Sequence, residues 1–225
     1  MAAVTKIILR DDHEKFLVSN IFIPKRMLYF GSDHNTMFPD TDGEPGVDFW
    51  SAGILVKNLL FLDSINNNRI YVFWNSPGGD WNHGISIYDT IKALRSPVTI
   101  IGYCYVRSMG TIVMQACDER LLMINTGFMI HDGEEAHAGI PKTVESWARE
   151  SVYSRKLMYK IYYEQMVKKQ GKKKCPRELT LKQIEEWCGH DTIFRAEQAV
   201  ALGLADKVIK KFPKIIVKKK RVVNN

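Results

Sequence analysis

The sequence predicts an α/β fold in which buried strands alternate with helices, with one helix too long for the body to cover. Three observations carry this. Ile70-Tyr71-Val72-Phe73-Trp74 and residues 98–103 are apolar runs rich in β-branched and aromatic side chains, as in strands covered on both faces. Each is followed by a turn and then by apolar residues at helical spacing, which predicts crossover helices and a parallel sheet. Residues 141–169 keep helical spacing for about 28 residues, or about 42 Å, more than a body of this size spans.

In chain order, Ile54, Leu55, Leu59, Leu60 and Leu62 mark a helix that stops at Asn66-Asn67-Asn68. The strand at 70–74 runs into a turn at Pro77-Gly78-Gly79. A helix over 82–94 presents Ile85, Tyr88, Ile91 and Leu94 to the sheet and closes at Ser96-Pro97. The strand at 98–103 leads into a buried helix over 108–116. Two further strands, 121–124 and 128–130, are joined by Asn125-Thr126-Gly127. Pro141 suits the first turn of the long helix, whose Trp147, Val152, Met158, Tyr162 and Met166 need a cover, so self-association is expected. A break near Ser151 or Ser154 that folds the helix back is the alternative. A short helix from Thr180 to near Trp187, another over 196–202 and a last strand over 205–209 complete the series. The Gly-, Pro- and acid-rich residues 33–49 and the tail beyond Lys210 read as surface additions. The organisation predicted is an N-terminal segment, 1–53, a core domain, 54–209, and a basic tail, 210–225.

With 225 residues and 45% hydrophobic content the chain can bury a core. No uncharged apolar stretch approaches the roughly 20 residues of a membrane span. Residues 1–10 lack the order of a secretory signal, so a cytoplasmic protein is expected. Cys104, Cys117, Cys175 and Cys188 make no Cys-x-x-Cys pair, which argues against a zinc site or a disulfide framework. Cys104 and Cys117 lie in apolar runs and are expected to be buried and inert.

The net charge of +7 is unevenly spread. Lys168, Lys169, Lys172, Lys173 and Lys174 form one basic run, and Lys210, Lys211, Lys214, Lys218, Lys219, Lys220 and Arg221 another. These runs hold 12 of the 32 basic residues and leave 20 against 25 acidic ones, so the remainder is net −5. An acidic body with basic appendages argues against a nucleic-acid-binding core, because a basic groove should cross the folded surface. The tail itself is expected to be solvated rather than a DNA-binding arm.

Three segments bring chemistry into the core domain: Asn75-Ser76-Pro77-Gly78-Gly79, Arg107-Ser108-Met109-Gly110 and Met129-Ile130-His131-Asp132, with Asp191 later. A serine hydroxyl needs a base within about 3 Å, and the base needs a third group to hold its tautomer. Ser108, His131 and Asp191 are candidates for those parts, in an order unlike that of chymotrypsin, subtilisin or the α/β-hydrolases. The N–H groups of Met109 and of the Gly78-Gly79 turn are candidate oxyanion donors. Each part also has a plainer reading. Ser108 could be a helix N-cap, Gly78-Gly79 a tight turn, His131 a structural histidine, and Asp191 the cap of the helix near Ala196, with His190 competing beside it. His13, His34, His83, His137 and His190 make no metal-binding spacing, so no metal is expected.

These residues resemble those of the proteolytic subunit of the ATP-dependent Clp protease, over roughly residues 54–207. The run Asn75 to Gly79 with Gly84, Ile87, Tyr88, Asp89 and Thr90, the segments Ser108-Met109-Gly110 and Met129-Ile130-His131, and the stretch from Ala196-Glu197-Gln198-Ala199 to Gly203-Leu204-Ala205-Asp206 carry the likeness. The resemblance implies a Clp/crotonase-like spiral of ββα units with a projecting handle helix, which 141–169 matches. It implies Ser108 as nucleophile, His131 as general base, Asp191 as the group orienting it, and the N–H groups of Gly79 and Met109 as the oxyanion hole. It further implies stacked seven-membered rings fed with unfolded polypeptide by a hexameric AAA+ unfoldase. ATP is then used by that partner, and this chain needs no cofactor.

The chain departs from the family pattern in places. Arg107 stands where a small residue is usual, with the potential to crowd the site or alter specificity. The loop Asp132-Gly133-Glu134-Glu135-Ala136-His137 lacks the usual Gln-Pro start. The lysine run near 170–176 and the acidic 33–49 segment are additional. These features keep two other readings in view: a phage head-maturation protease of the same fold, and a catalytically silent ring subunit. A crotonase-type acyl-CoA enzyme would have no need for Ser108, His131 and Asp191 together.

Overall fold

The computed structural model describes residues 11–31, 46–170 and 180–215. Most of the acidic 33–49 segment, the lysines at 172–174, Cys175 and the end of the basic tail lie outside the described residues. Helix α1 (Asp11–Ser19), strands β1 (Ile21–Phe22) and β2 (Met27–Phe30), helix α2 (Phe49–Ile65), strand β3 (Ile70–Ser76) and helix α3 (Trp81–Ala93) come first. Strand β4 (Val98–Arg107), helix α4 (Met109–Gln115) and strands β5 (Glu119–Met123) and β6 (Gly127–Ile130) follow, then the long helix α5 (Pro141–Gln170). Helix α6 (Leu181–Cys188), strand β7 (Thr192–Arg195), helix α7 (Ala196–Leu202) and strand β8 (Lys207–Ile209) complete the described fold.

The sheet runs β1-β2-β3-β4-β5-β8 and is parallel from β2 to β8, as the alternation predicts. Strand β4 serves two partners. Its Thr99 to Gly102 pair with β5, and its Tyr105 to Arg107 pair with β6, which in turn takes β7 on its far side. Between the two halves Cys104 has φ +59°, and the strand changes direction there. The β1–β2 and β6–β7 pairs are antiparallel, unlike the expected parallel set. The first pair is joined by the short link at residues 23–26, whereas β7 returns beside β6 only after α5 and α6.

Local chemistry sets the helix starts. Asp48 accepts the Ser51 N–H at 2.7 Å while Ser51 Oγ accepts the Asp48 N–H at 2.9 Å, a reciprocal cap that begins α2 five residues before the predicted Ile54. Asp80 caps α3 by accepting the His83 N–H, and Thr180 caps α6 through Gln183. All seven residues of α4 are buried, as predicted. Strand β3 is covered fully on one face only: Ile70, Val72, Trp74 and Ser76 are buried, and the residues between them are half-buried. Trp74 stacks on Phe30 of β2 at 4.1 Å, so the N-terminal segment completes the sheet rather than decorating it. Arg26 is buried beside it, donating to the carbonyls of Leu62 and Asn68 and to Ser96 Oγ at 2.7–3.0 Å.

Helix α5 is continuous through Ser151 and Ser154. Its second half packs Met158, Ile161, Tyr162 and Met166 into the core, while Trp147, Val152 and Tyr153 in its first half stand 42–62% exposed. The helix therefore projects from the body.

The expectation for the cysteines is corrected at one position. Cys117 and Cys188 are buried, but Cys104 is exposed because the bend in β4 turns it out of the sheet. Burial raises the Cys117 thiol pKa and pushes that of Cys188 up to about 12. Iodoacetamide at pH 8 is expected to modify Cys104 at least about tenfold faster than either buried thiol, as read by peptide mass spectrometry; equal rates would contradict the burial pattern.

Candidate active site

Strand β6 positions the site. Its carbonyl at Met129 accepts the Ser108 N–H at 2.8 Å, which extends the β4–β6 ladder one residue past Arg107. On the other edge Ile130 pairs with Thr192, so the next residues outward, His131 and Asp191, come side by side. The geometry follows from that register. Ser108 Oγ lies 2.8 Å from His131 Nε2, and His131 Nδ1 lies 2.8 Å from Asp191 Oδ1. With the proton on Nδ1 donated to Asp191, the Nε2 lone pair faces the serine hydroxyl.

Ser108 occupies the N-cap position of α4 with φ +49° and ψ −128°, yet its side chain caps nothing. Such a conformation costs about 1–3 kcal/mol and needs a surrounding structure that holds it. Here Thr111 donates from both its N–H (2.9 Å) and its Oγ1 (2.6 Å) to the Ser108 carbonyl. The strand-to-helix turn is thus sharp, and the hydroxyl projects from its tip. Gly78, with φ +111°, lies under this turn, where a Cβ would come within 2.5 Å of Ser108 Cβ. Gly79, with φ +137°, is excluded from carrying a side chain by a different neighbour, the Val47 backbone at 2.3 Å. Val47 N–H donates to Gly78 O, and Asp80 N–H donates to Val47 O, so residues 46–48 brace the glycine turn. Sequence reasoning missed this brace, and no local pattern around Val47 signals it.

Gly79, Ser108, Met109 and His131 line one cleft of about 300 Å³, walled by the start of α3, the loop after β6 and one side of α5. The other candidates among the histidines, and the capping role for Asp191, are placed differently. His190 sits 3.2 Å from Thr192 Oγ1 rather than at His131, and β7 separates Asp191 from α7. His137 stacks on Trp147 and bonds Ser151 Oγ at 2.9 Å. Arg107 lies over the Tyr105 ring at 4.4 Å and does not line the cleft, so it does not crowd the serine. Among the described residues no group of three or more His, Cys, Asp or Glu side chains is placed to hold a metal ion, and no described helix is long and apolar enough to cross a membrane.

Asp132, next to His131, ties the loop to two helices. Its N–H donates to Cys188 O at 2.7 Å, its Oδ1 accepts the Tyr159 hydroxyl at 2.7 Å, and Arg155 stands 4.0 Å from Oδ2. Burial, with the bond to Asp132 second, raises the Tyr159 phenol well above its usual range.

The Clp protease family pattern matches residues 45–212. The chain belongs to the Clp protease family. It is 31% identical to an ATP-dependent Clp protease proteolytic subunit of Deinococcus radiodurans over 166 residues, covering 72% of this chain and 76% of that one. Its fold matches that of a mutant ClpP1 from Listeria monocytogenes with a TM-score of 0.66 at 24% identity, over 84% of this chain and 94% of the other. The Clp fold with its long handle helix, expected from the resemblance, is therefore the fold of this chain. The match begins at residue 45 and so takes in Val47 and the whole of α2.

The Tyr159 bond has a pH signature. An unfolded tyrosine ionises near pH 10, and the folded phenol ionises higher, so its stabilising contribution is complete below about pH 10 and is lost as pH rises beyond it. Thermal melting of Tyr159→Phe is expected to show about 1–2 kcal/mol lower stability at pH 8 but a shallower decline above pH 10 than the parent chain. Parallel pH curves would argue against this assignment.

Proposed function

We propose that the chain is the serine-type proteolytic subunit of a self-compartmentalised, ATP-dependent protease that cleaves unfolded polypeptides in the cytoplasm. The observation that carries this reading is the unbroken series of hydroxyl, imidazole and carboxylate with both links at 2.8 Å. As Ser108 Oγ attacks the scissile carbonyl carbon, His131 Nε2 takes its proton, and Asp191 stabilises the imidazolium through Nδ1–H. The oxygen that becomes anionic is received by the N–H groups of Gly79 and Met109. The Met109 N–H, in the first turn of α4, has no acceptor within the helix. His131 then returns the proton to the leaving amine, and water releases the acyl group by the same route in reverse.

Two further features support the assembly. Val152 and Tyr153 stand exposed on the projecting part of α5, away from the cleft that Trp147 lines, and leave apolar surface that a second copy would cover, consistent with stacked seven-membered rings. A cleft of about 300 Å³ admits side chains of an extended segment but not a folded domain, which fits delivery by a hexameric AAA+ unfoldase that uses the ATP. Arg107, on which the silent-subunit reading rested, lies over Tyr105 rather than in the cleft, which favours the active reading.

Ser108→Ala is expected to abolish both fluorophosphonate labelling and cleavage of an unfolded protein while leaving the native particle mass unchanged. Asp191→Asn should lower kcat by up to about 10⁴-fold. Undiminished cleavage by Ser108→Ala in a steady-state assay would refute the proposal.

A further inference from the structure

We infer that the cleft beside Ser108 selects a basic side chain, lysine or arginine, on the acyl side of the bond cleaved; this deepens the peptidase reading and rests on it. The cleft combines an apolar floor with an acidic rim. Ile112 of α4 and Met158 of α5 line it while being only 1% and 6% exposed, so they present hydrocarbon and thioether surface with no strong hydrogen-bonding group. Five carboxylates also line it, Asp80, Asp132, Glu134, Glu135 and Glu150, against one guanidinium, that of Arg155.

Three of the five already have partners. Asp80 caps α3, Asp132 takes the Tyr159 hydroxyl with Arg155 nearby, and Glu135 faces His137 Nε2 at 3.3 Å. Glu134 and Glu150 remain, and among the described residues neither is ion-paired. They approach from different elements, the loop after β6 and the projecting half of α5, so one ligand in the cleft meets both walls.

A side chain with an apolar stem and a cationic head matches this lining. The methylenes of lysine or arginine bury against Ile112 and Met158, and the head reaches carboxylates that otherwise depend on water. A leucine gains the floor alone. A glutamate meets like charge, which discriminates against it more strongly than lost contact does. The departure of this loop from the family pattern at Asp132 to Glu135 thus becomes a change of substrate class.

The test uses the assembled full-length protein and three fluorogenic peptides that differ only in the residue preceding the scissile bond: lysine, leucine or glutamate. The expected kcat/KM is at least about tenfold higher for lysine than for leucine, lowest for glutamate, and the lysine advantage shrinks as salt rises. The double variant Glu134→Gln with Glu150→Gln should reduce the lysine-to-leucine ratio at least about fivefold, and each single variant should reduce it in part. A parent protein that prefers leucine, or a ratio that none of these variants moves, overturns the inference while leaving the peptidase reading intact. Absence of Ser108-dependent cleavage of any of the three peptides overturns both.

Discussion

Strand β6 is four residues long, and its two edges determine whether there is a site at all. On one edge it hydrogen-bonds β4 through to the Ser108 N–H, and on the other it holds β7 in a register that brings Asp191 alongside His131. Because side chains alternate along a strand, a slip of one residue on either edge would turn a participating group to the opposite face. Two backbone ladders, set by the packing of Phe128 and Ile130 into the core, therefore do the positioning that three flexible side chains could not do alone.

The same region concentrates its backbone constraints. Ser108, Gly78 and Gly79 all have positive φ, and each is confined by a neighbour: Thr111 beneath the serine turn, Ser108 over Gly78, and Val47 against Gly79. Preorganisation here means that the turn cannot relax without breaking several hydrogen bonds at once. The asymmetry between the two glycines is instructive. Gly78 makes room for the serine, and Gly79 makes room for the Val47 backbone from upstream in the chain.

Much of this was legible in the residue pattern. The strands and helices of the core follow from apolar periodicity at Ile70 to Trp74, Ile85 to Leu94 and Val98 to Tyr103, and the long helix from its length alone. The site residues were legible as types at the ends of elements, and the family resemblance linked them. What was not legible depends on non-local contacts. The role of Val47 appears only when it lies against Gly79, and β2 has no signature beyond Met27 to Phe30 until Trp74 stacks on it. Cys104 sits in an apolar run, and nothing nearby announces that the strand bends and exposes it.

The Asp132 junction joins two matters usually considered apart. One residue away from the imidazole, it is anchored to α5 through a buried phenol and to the end of α6 through a carbonyl three residues before Asp191. Tilting the long helix would thus tug at His131 and Asp191 from both sides. Under the proposed mechanism, whatever steadies the outer half of that helix would also steady proton transfer, and a subunit left on its own would have less to hold its machinery in tune.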